Sequence, residues 1–300
     1  MTQDGLMLKQ HEGPTARGEV ALPKSSAVLK ALRHRSLATG LVILTAISAT
    51  IAAAPLLAPL DPNLQDAMNT FAPPSMAHPM GADAFGRDMF ARVLYGGRTT
   101  MLSSLAVVIL GALVGTTVGL LAGYVGGAIG FFVMRLVDLL LAFPGILLAL
   151  TVTAILGPGL NNGVIAIAAV LVPIYARLVE GATAEIRNLP YIDASVTLGA
   201  GPLRIIVRHI LPNILSSVIV LTTTWLGIAA LWITALGFIG LGVQPPTPEW
   251  GAILNDGQNY ITLAWWITVF PGVFLSLYVI SVNLIGDGLR DEIDPTLAKC

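Results

Sequence analysis

Long uncharged, mostly apolar runs separate the charged residues of this chain. A helix crosses a hydrocarbon layer of about 30 Å with roughly 20 apolar residues. Each run of that length therefore predicts a membrane span, and clusters of glycine or proline divide the longer runs because they mark turns. The pattern predicts six spanning helices, at 37–60, about 99–123, on either side of a turn at 157–163 within 139–176, about 213–241, and 257–286.

Local signals set the predicted ends of these spans. A glycine cluster at 123–130 is predicted to end the second span, and a proline cluster at 244–248 is predicted to close the fifth. Trp265 and Trp266 stand near the start of the sixth span, where indole rings commonly anchor a helix at the membrane interface.

The first 36 residues precede the apolar pattern. The part up to about residue 23 mixes glycine, proline and charge and is predicted to be disordered, whereas residues 28–35 predict a short basic helix at the membrane surface. A cleaved signal peptide is the alternative, because residues 52–54 resemble a small-residue cleavage site. The long preceding tail and Pro55 directly after that site favour an uncleaved tail at 1–36.

Composition restricts the class of protein further. Apolar residues make up 55% of the chain and charged residues 11%, whereas a soluble domain carries roughly a quarter charged residues. The net charge of −1 provides no basic surface for nucleic acid. Cys300 is the only cysteine, so neither an internal disulfide nor a thiolate metal site can form. The class that remains is an all-α polytopic membrane protein.

The distribution of Lys and Arg predicts the orientation, because cytoplasmic segments carry an excess of them. With both termini in the cytoplasm, the outer segments hold only Arg87, Arg92 and Arg98 of the 16 basic residues. We therefore expect 61–98 to be extracytoplasmic and 287–300 to be a cytoplasmic tail.

Four glycines at a spacing of four residues lie on one face of the second span. They are Gly111, Gly115, Gly119 and Gly123. In lipid, helices associate through close backbone approach, which glycine permits. The stripe predicts a helix–helix contact, either within this chain or with a second subunit.

The segment 181–212, between the fourth and fifth spans, is predicted to be cytoplasmic. Within it, 191–212 has helix-forming character, a turn at 199–202 and a second amphipathic half. Two short helices joined by a turn at the membrane surface suit the docking of a partner protein. An ordinary solvated loop is the alternative.

The residues of this segment resemble the coupling loop of ATP-binding cassette importer permeases, whose pattern is Glu-Ala-Ala, three residues, Gly, nine residues, Ile-x-Leu-Pro. Asp193, Ser195 and His209 depart from that pattern, which has Glu, Ala and Ile there. The spacing is kept by Asp193, Ala194, Ser195, Gly199, Leu211 and Pro212.

Further matches extend the resemblance to the C-type permease subunit of the oligopeptide, dipeptide and nickel importer family. They cover 78–88, 94–98, 134–144, 240–251 and 283–295. The resemblance implies a type I ABC importer permease, with six transmembrane helices and a core of the second to sixth spans at 99–286.

The same resemblance implies the function and the partners. The chain would form half of a translocation pathway in a bacterial inner membrane, for peptides or for glutathione, nickel chelates or haem. A homologous B-type permease chain, one or two ATPase subunits and an extracytoplasmic binding protein would complete the importer.

Two sequence features bear on the energy source. The chain contains no Gly-Lys pair and hence no phosphate-binding P-loop, so ATP and magnesium would be bound by partner subunits, with no cofactor and no catalysis in this chain. A self-sufficient secondary transporter or channel is the alternative. Few charges inside the spans argue against it, since Arg135 and Asp138 lie at the predicted entrance of span three, spaced for an i,i+3 ion pair.

Overall fold

The computed structural model describes residues 35–293, and within them the fold is all-α, with a single isolated β-bridge between Ala82 and Asp88. The predicted basic helix at 28–35 lies almost entirely outside the described residues. Short 3₁₀ turns occur at Ala67–Asn69 and Gln258–Tyr260. The helices are α1 Arg35–Ala52, α2 Ala54–Leu57, α3 Met89–Val125, α4 Gly127–Leu141, α5 Gly145–Leu156, α6 Leu160–Arg187, α7 Pro190–Thr197, α8 Pro202–Ile205, α9 Leu211–Phe238, α10 Trp250–Gly257 and α11 Trp266–Ile293.

Five helical segments of the described chain are long and apolar enough to cross a membrane. They are α1, α3, α6, the continuous segment of α8 and α9, and α11. The pair α4 and α5 makes a sixth span if it is counted as one, although it is bent by 93°. The third span, predicted after residue 139, is therefore a sharply bent pair of helices and not one continuous helix. Pro144 lacks an N–H donor and disfavours helical geometry at Phe143, so the helix breaks there.

The second span begins and ends at residues other than those predicted. The turn predicted at 123–130 shrinks to Gly126 and Gly127, which have φ angles of +62° and +57°. Gly130 already belongs to α4, and a Cβ there would lie 2.6 Å from the Ala122 carbonyl oxygen, so α4 packs back directly on α3. At its other end α3 begins at Met89, so the segment predicted as 61–98 is helical in its last ten residues.

The outer spans also differ from their predicted limits. The first span is helical to Ala52 and continues as the short α2, and the sixth begins only at Trp266. Trp266 is not an interfacial anchor, because it is buried and its indole N–H donates to the Ala82 carbonyl at 3.0 Å. Trp265 beside it is about half exposed.

The four stripe glycines of α3 lie against α6 of the same chain, and all four are buried. A Cβ at Gly115 would stand 2.5 Å from the Val172 carbonyl oxygen, and one at Gly119 would stand 2.5 Å from that of Ala176. Real Cβ atoms do not come this close to backbone oxygen. We call this contact the glycine seam (Gly111, Gly115, Gly119 and Gly123 against 168–183). It places the close approach within one chain.

The first and last spans also contact each other closely through glycines. A Cβ at Gly40 of α1 would lie 2.7 Å from the Ser281 carbonyl oxygen, and one at Gly288 of α11 would lie 2.7 Å from the Leu37 Cβ. Large apolar side chains on the outward faces of the spans stay exposed, as expected for a surface in contact with lipid. Examples are Val42, Leu102, Leu113, Phe132 and Leu136.

Replacing a seam glycine tests the contact. Gly115→Leu or Gly119→Leu should lower the amount of folded protein in the membrane and its melting temperature, because the side chain must displace backbone of α6. Overpacking of this kind costs about 1–3 kcal/mol, occasionally more. Fluorescence-detected size-exclusion chromatography with a thermal ramp measures both quantities.

Gly181→Leu is the matched control, since Gly181 lies in α6 and nothing stands within 4 Å of its Cβ position. Equal yield and melting temperature for the seam and control variants would show that the seam does not determine packing.

Candidate functional site

The loops of the structure gather at two ends. At one end the turn before α6 meets the loop after α9, where the Gly159 N–H donates to the Leu241 carbonyl at 3.1 Å. The 61–88 segment reaches the same end, since Arg87 lies 3.2 Å from Asp256 in α10, the helix that follows this loop. We call this the outer end. The turn between α3 and α4 and the 188–210 segment lie at the opposite, inner end, where the Arg187 guanidinium stands 5.6 Å from the ring centroid of Tyr124.

Four ionised side chains hold the outer end together. Arg87 Nε lies 2.6 Å from Asp83 Oδ2, and Arg92 Nε lies 3.4 Å from the same oxygen. Both arginines also reach Asp256 Oδ2, at 3.2 Å and 3.5 Å. We call Asp83, Arg87, Arg92 and Asp256 the outer clamp. Its two positive and two negative charges balance, which permits burial, since removing one partner would leave an uncompensated charge.

Glu249 is the second polar element of the outer end. It is fully buried, its Oε1 accepts from the Thr100 hydroxyl at 2.9 Å, and its Oε2 accepts from the Ala252 N–H at 3.0 Å. The carboxylate therefore caps α10 and ties it to α3. Burial raises the pKa of Glu249, and these hydrogen bonds oppose the shift. Gly237 of α9 leaves the room for this carboxylate, since a Cβ there would lie in contact with it.

The segment predicted to couple the chain to an ATPase, 190–212, consists of helix α7 and an N-terminal extension of α9. Helix α7 ends at a turn over 198–201, but the second half does not form a separate short helix. Instead α8 and a π turn at Ile206–Ile210 continue directly into α9. The predicted helix–turn–helix is therefore wrong in its second part. Leu211 and Pro212 form the first turn of α9.

Gly199 ends α7 in the left-handed region, with φ of +85°. Its N–H donates to the Val196 carbonyl at 2.9 Å, and the Ala200 N–H donates to the Ser195 carbonyl at 3.0 Å. This is the usual geometry of a glycine after a helix C-terminus. A side chain there would strain the backbone by roughly 1–2 kcal/mol.

The exposed surface of the 190–212 segment, at the inner end, carries large apolar side chains. Leu198 is 89% exposed and Leu203 is 74% exposed, while Ile192 and Ile205 are buried and fix the segment to the core. Large apolar side chains exposed together at this end of the molecule indicate a protein contact. Asp193 and Ala194 lie on the exposed part of α7, Ser195 is half-buried, and Leu211 and Pro212 lie beyond the turn.

A third group of charges lies between α4 and α6. The predicted pair of Arg135 and Asp138 is present at 3.9 Å, and Arg177 contacts the same carboxylate more closely. Arg177 also lies 3.7 Å from Glu180. The described residues contain no cluster of His, Cys, Asp and Glu that could hold a metal ion.

Sequence reasoning missed the outer clamp and Glu249. It assigned Arg87 and Arg92 to an extracytoplasmic segment without partners, and it gave Glu249 no role of its own. A usable signal for Glu249 was its position directly before the apolar start of α10, where an acidic residue favours a helix N-terminus.

A bundle of five apolar helices and a bent pair, each long enough to cross a membrane, is the architecture of a multi-pass membrane protein. The family described as "Binding-protein-dependent transport system inner membrane component" matches residues 115–299. The chain belongs to this family and is a permease subunit of an ABC importer, a multi-pass protein of the bacterial inner membrane. Importers of this family keep their ATPase activity in separate subunits.

Individual relatives are similar in sequence to this chain over most of its length. A glutathione transport system permease protein, GsiD of Pectobacterium atrosepticum, is 42% identical over 88% of this chain and 88% of its own length. A di/tripeptide transport system permease protein, DppC of Pseudomonas aeruginosa, is 43% identical over 81% of this chain and 82% of its own. A chain of the inward-facing MetNI methionine ABC transporter has the same fold, with a TM-score of 0.53 and 23% identity over 68% of this chain and 97% of its own.

Glu249 provides a test of the outer end. Glu249→Ala should destabilise the purified protein by about 1–3 kcal/mol, because buried hydrogen-bonding groups lose their partner. Glu249→Gln should be much milder. Since the folded pKa is raised, the carboxyl favours folding at low pH, and this contribution is lost as pH rises through the folded pKa. The melting temperature of the Gln variant relative to the parent should therefore increase with pH. A difference that does not change with pH would contradict a buried, titrating Glu249.

Proposed function

We propose that this chain forms one half of the pathway of an ATP-driven importer for peptides or for solutes of similar size, such as glutathione. The relatives named for di/tripeptide and glutathione transport support this class of substrate. The observation that carries the proposal is the exposed apolar tip of the 190–212 segment, which suits the docking of a separate protein. A homologous B-type permease chain, one or two ATPase subunits and an extracytoplasmic binding protein are the partners we propose.

The orientation we propose has both termini and the 190–212 segment in the cytoplasm and the outer end outside. The low number of basic residues in 61–98 and 242–264 supports it. The contacts that join these segments at one end are consistent with it. The arginines of 61–98 do not argue against an extracytoplasmic location of this segment, because the charges of two of them are balanced by carboxylates in the outer clamp.

Motion would pass from the ATPase to the spans along a short path. Closure of the ATPase subunits displaces α7, which follows α6 after only Asn188 and Leu189. Helix α6 is joined to α3 by the glycine seam, so the two would move as one rigid body. Such a rigid-body rotation is a common way to alternate between inward-open and outward-open states.

Gly199→Glu tests the coupling role. The variant should remain inserted in the membrane but lose transport, because a charged side chain strains the turn and separates the docked surfaces. Gly199→Asn, which tolerates left-handed backbone, should lose less, and Asp193→Ala should be mild. Uptake, ATPase retention and substrate-stimulated hydrolysis of the complex in nanodiscs are the measurements. Normal values of all three in Gly199→Glu would remove this segment as the coupling element and favour a secondary transporter.

Cysteine labelling tests the orientation. In a Cys300→Ser background, Met76→Cys should react with an impermeant maleimide added to spheroplasts, because Met76 is fully exposed at the outer end. Asn188→Cys, exposed at the inner end between α6 and α7, should react only after the membrane is permeabilised. The reverse pattern would invert the proposed topology.

A further inference from the structure

A cleft of about 440 Å³ opens at the inner end between the end of α3, the start of α4 and the end of α6. Its volume falls in the range of about 300–1,000 Å³ that is usual for small-ligand sites. Four glycines line this space, and at Gly127 nothing stands within 4 Å of the Cβ position. The four are Gly123, Gly126, Gly127 and Gly130.

The charges that line the cleft favour an anion. Arg135, Arg177 and Arg187 face Asp138 and Glu180, which leaves one net positive charge. Both carboxylates are engaged by Arg177. Arg135 approaches Asp138 only to 3.9 Å, and the Arg187 guanidinium contacts the ring of Tyr124. Two exposed guanidinium groups are therefore available for an anionic ligand, and guanidinium matches the geometry of phosphate.

Apolar side chains continue from the cleft along α4. Phe131 lines the cleft, and the Arg135 guanidinium stands 5.1 Å from its ring centroid. Phe131, Arg135 and Leu139 follow each other at a spacing of four residues and so share one helix face. Phe131 and Leu139 are both more than half exposed. The cleft thus places a cationic site beside an exposed apolar strip.

We propose that this cleft binds the phosphate of an anionic phospholipid, with Arg135 and Arg187 contacting the phosphate and an acyl chain lying on the Phe131 and Leu139 face of α4. Basic pockets between membrane helices on the cytoplasmic side bind such head groups. The proposed orientation places the cleft in the inner leaflet. The lipid would brace α4, which is attached through the Gly126 turn and the bend before Pro144.

Titration of the purified complex with dioleoyl phosphatidylglycerol, followed by native mass spectrometry, tests this site without a transport assay. The parent should bind phosphatidylglycerol more tightly than dioleoyl phosphatidylcholine. Arg135→Gln/Arg187→Gln should bind it about 30-fold more weakly, since each arginine near a membrane surface contributes roughly a factor of five. Arg290→Gln, with the same loss of charge at the inner end of α11, should bind like the parent.

Three results would overturn the proposal. They are unchanged phosphatidylglycerol affinity in the double variant, equal affinity of the parent for the two lipids, and displacement of the lipid by an equal concentration of inorganic phosphate, which would indicate a site for a free anion. If the double variant fails to assemble, Arg187→Gln alone decides, with about fivefold weaker binding expected. Because the readout is lipid affinity, its failure would leave the proposed transport function untouched.

Discussion

Close backbone contact between α3 and α6 is the interaction on which the rest of the bundle depends. Lipid tails are as apolar as the helix surfaces, so burial of apolar area cannot drive the spans together. Glycines at four successive levels instead let the α3 backbone approach carbonyl oxygens of α6. Such a contact gains dispersion energy and forbids sliding, because any displacement would bring a carbonyl against a neighbouring helix turn.

The two ends of the molecule build on this contact in different ways. At the outer end, Arg92 and Thr100 of α3 are held by Asp256 and Glu249, so α10 is tied to the same helix that forms the seam. At the inner end, α6 continues after two residues into α7 with its exposed Leu198. The seam thus connects an end that is held together by buried polar contacts to an end that exposes Leu198, on which we propose that the separate ATPase acts.

The sequence predicted local properties well. Apolar runs, the glycine stripe and the turn at Gly199 depend on neighbouring residues, and all are present in the structure. Proline shows where this reasoning fails. Pro144 breaks a helix, whereas Pro173 and Pro271 lie inside α6 and α11, because packing against other helices decides whether the lost hydrogen bond is tolerated. The outer clamp could not be predicted from local sequence either, because Arg92 and Asp256 are 164 residues apart.

The central claim is that α3 and α6 move as one rigid body during transport. Double electron–electron resonance between spin labels at Leu113 of α3 and Ile165 of α6, both exposed, measures this directly in the assembled transporter. The distance distribution should have the same maximum in the nucleotide-free and ATP-trapped states, while the complex remains active in uptake. A shift of the maximum by several ångströms between the two states would show that the seam opens or slides and would contradict the claim.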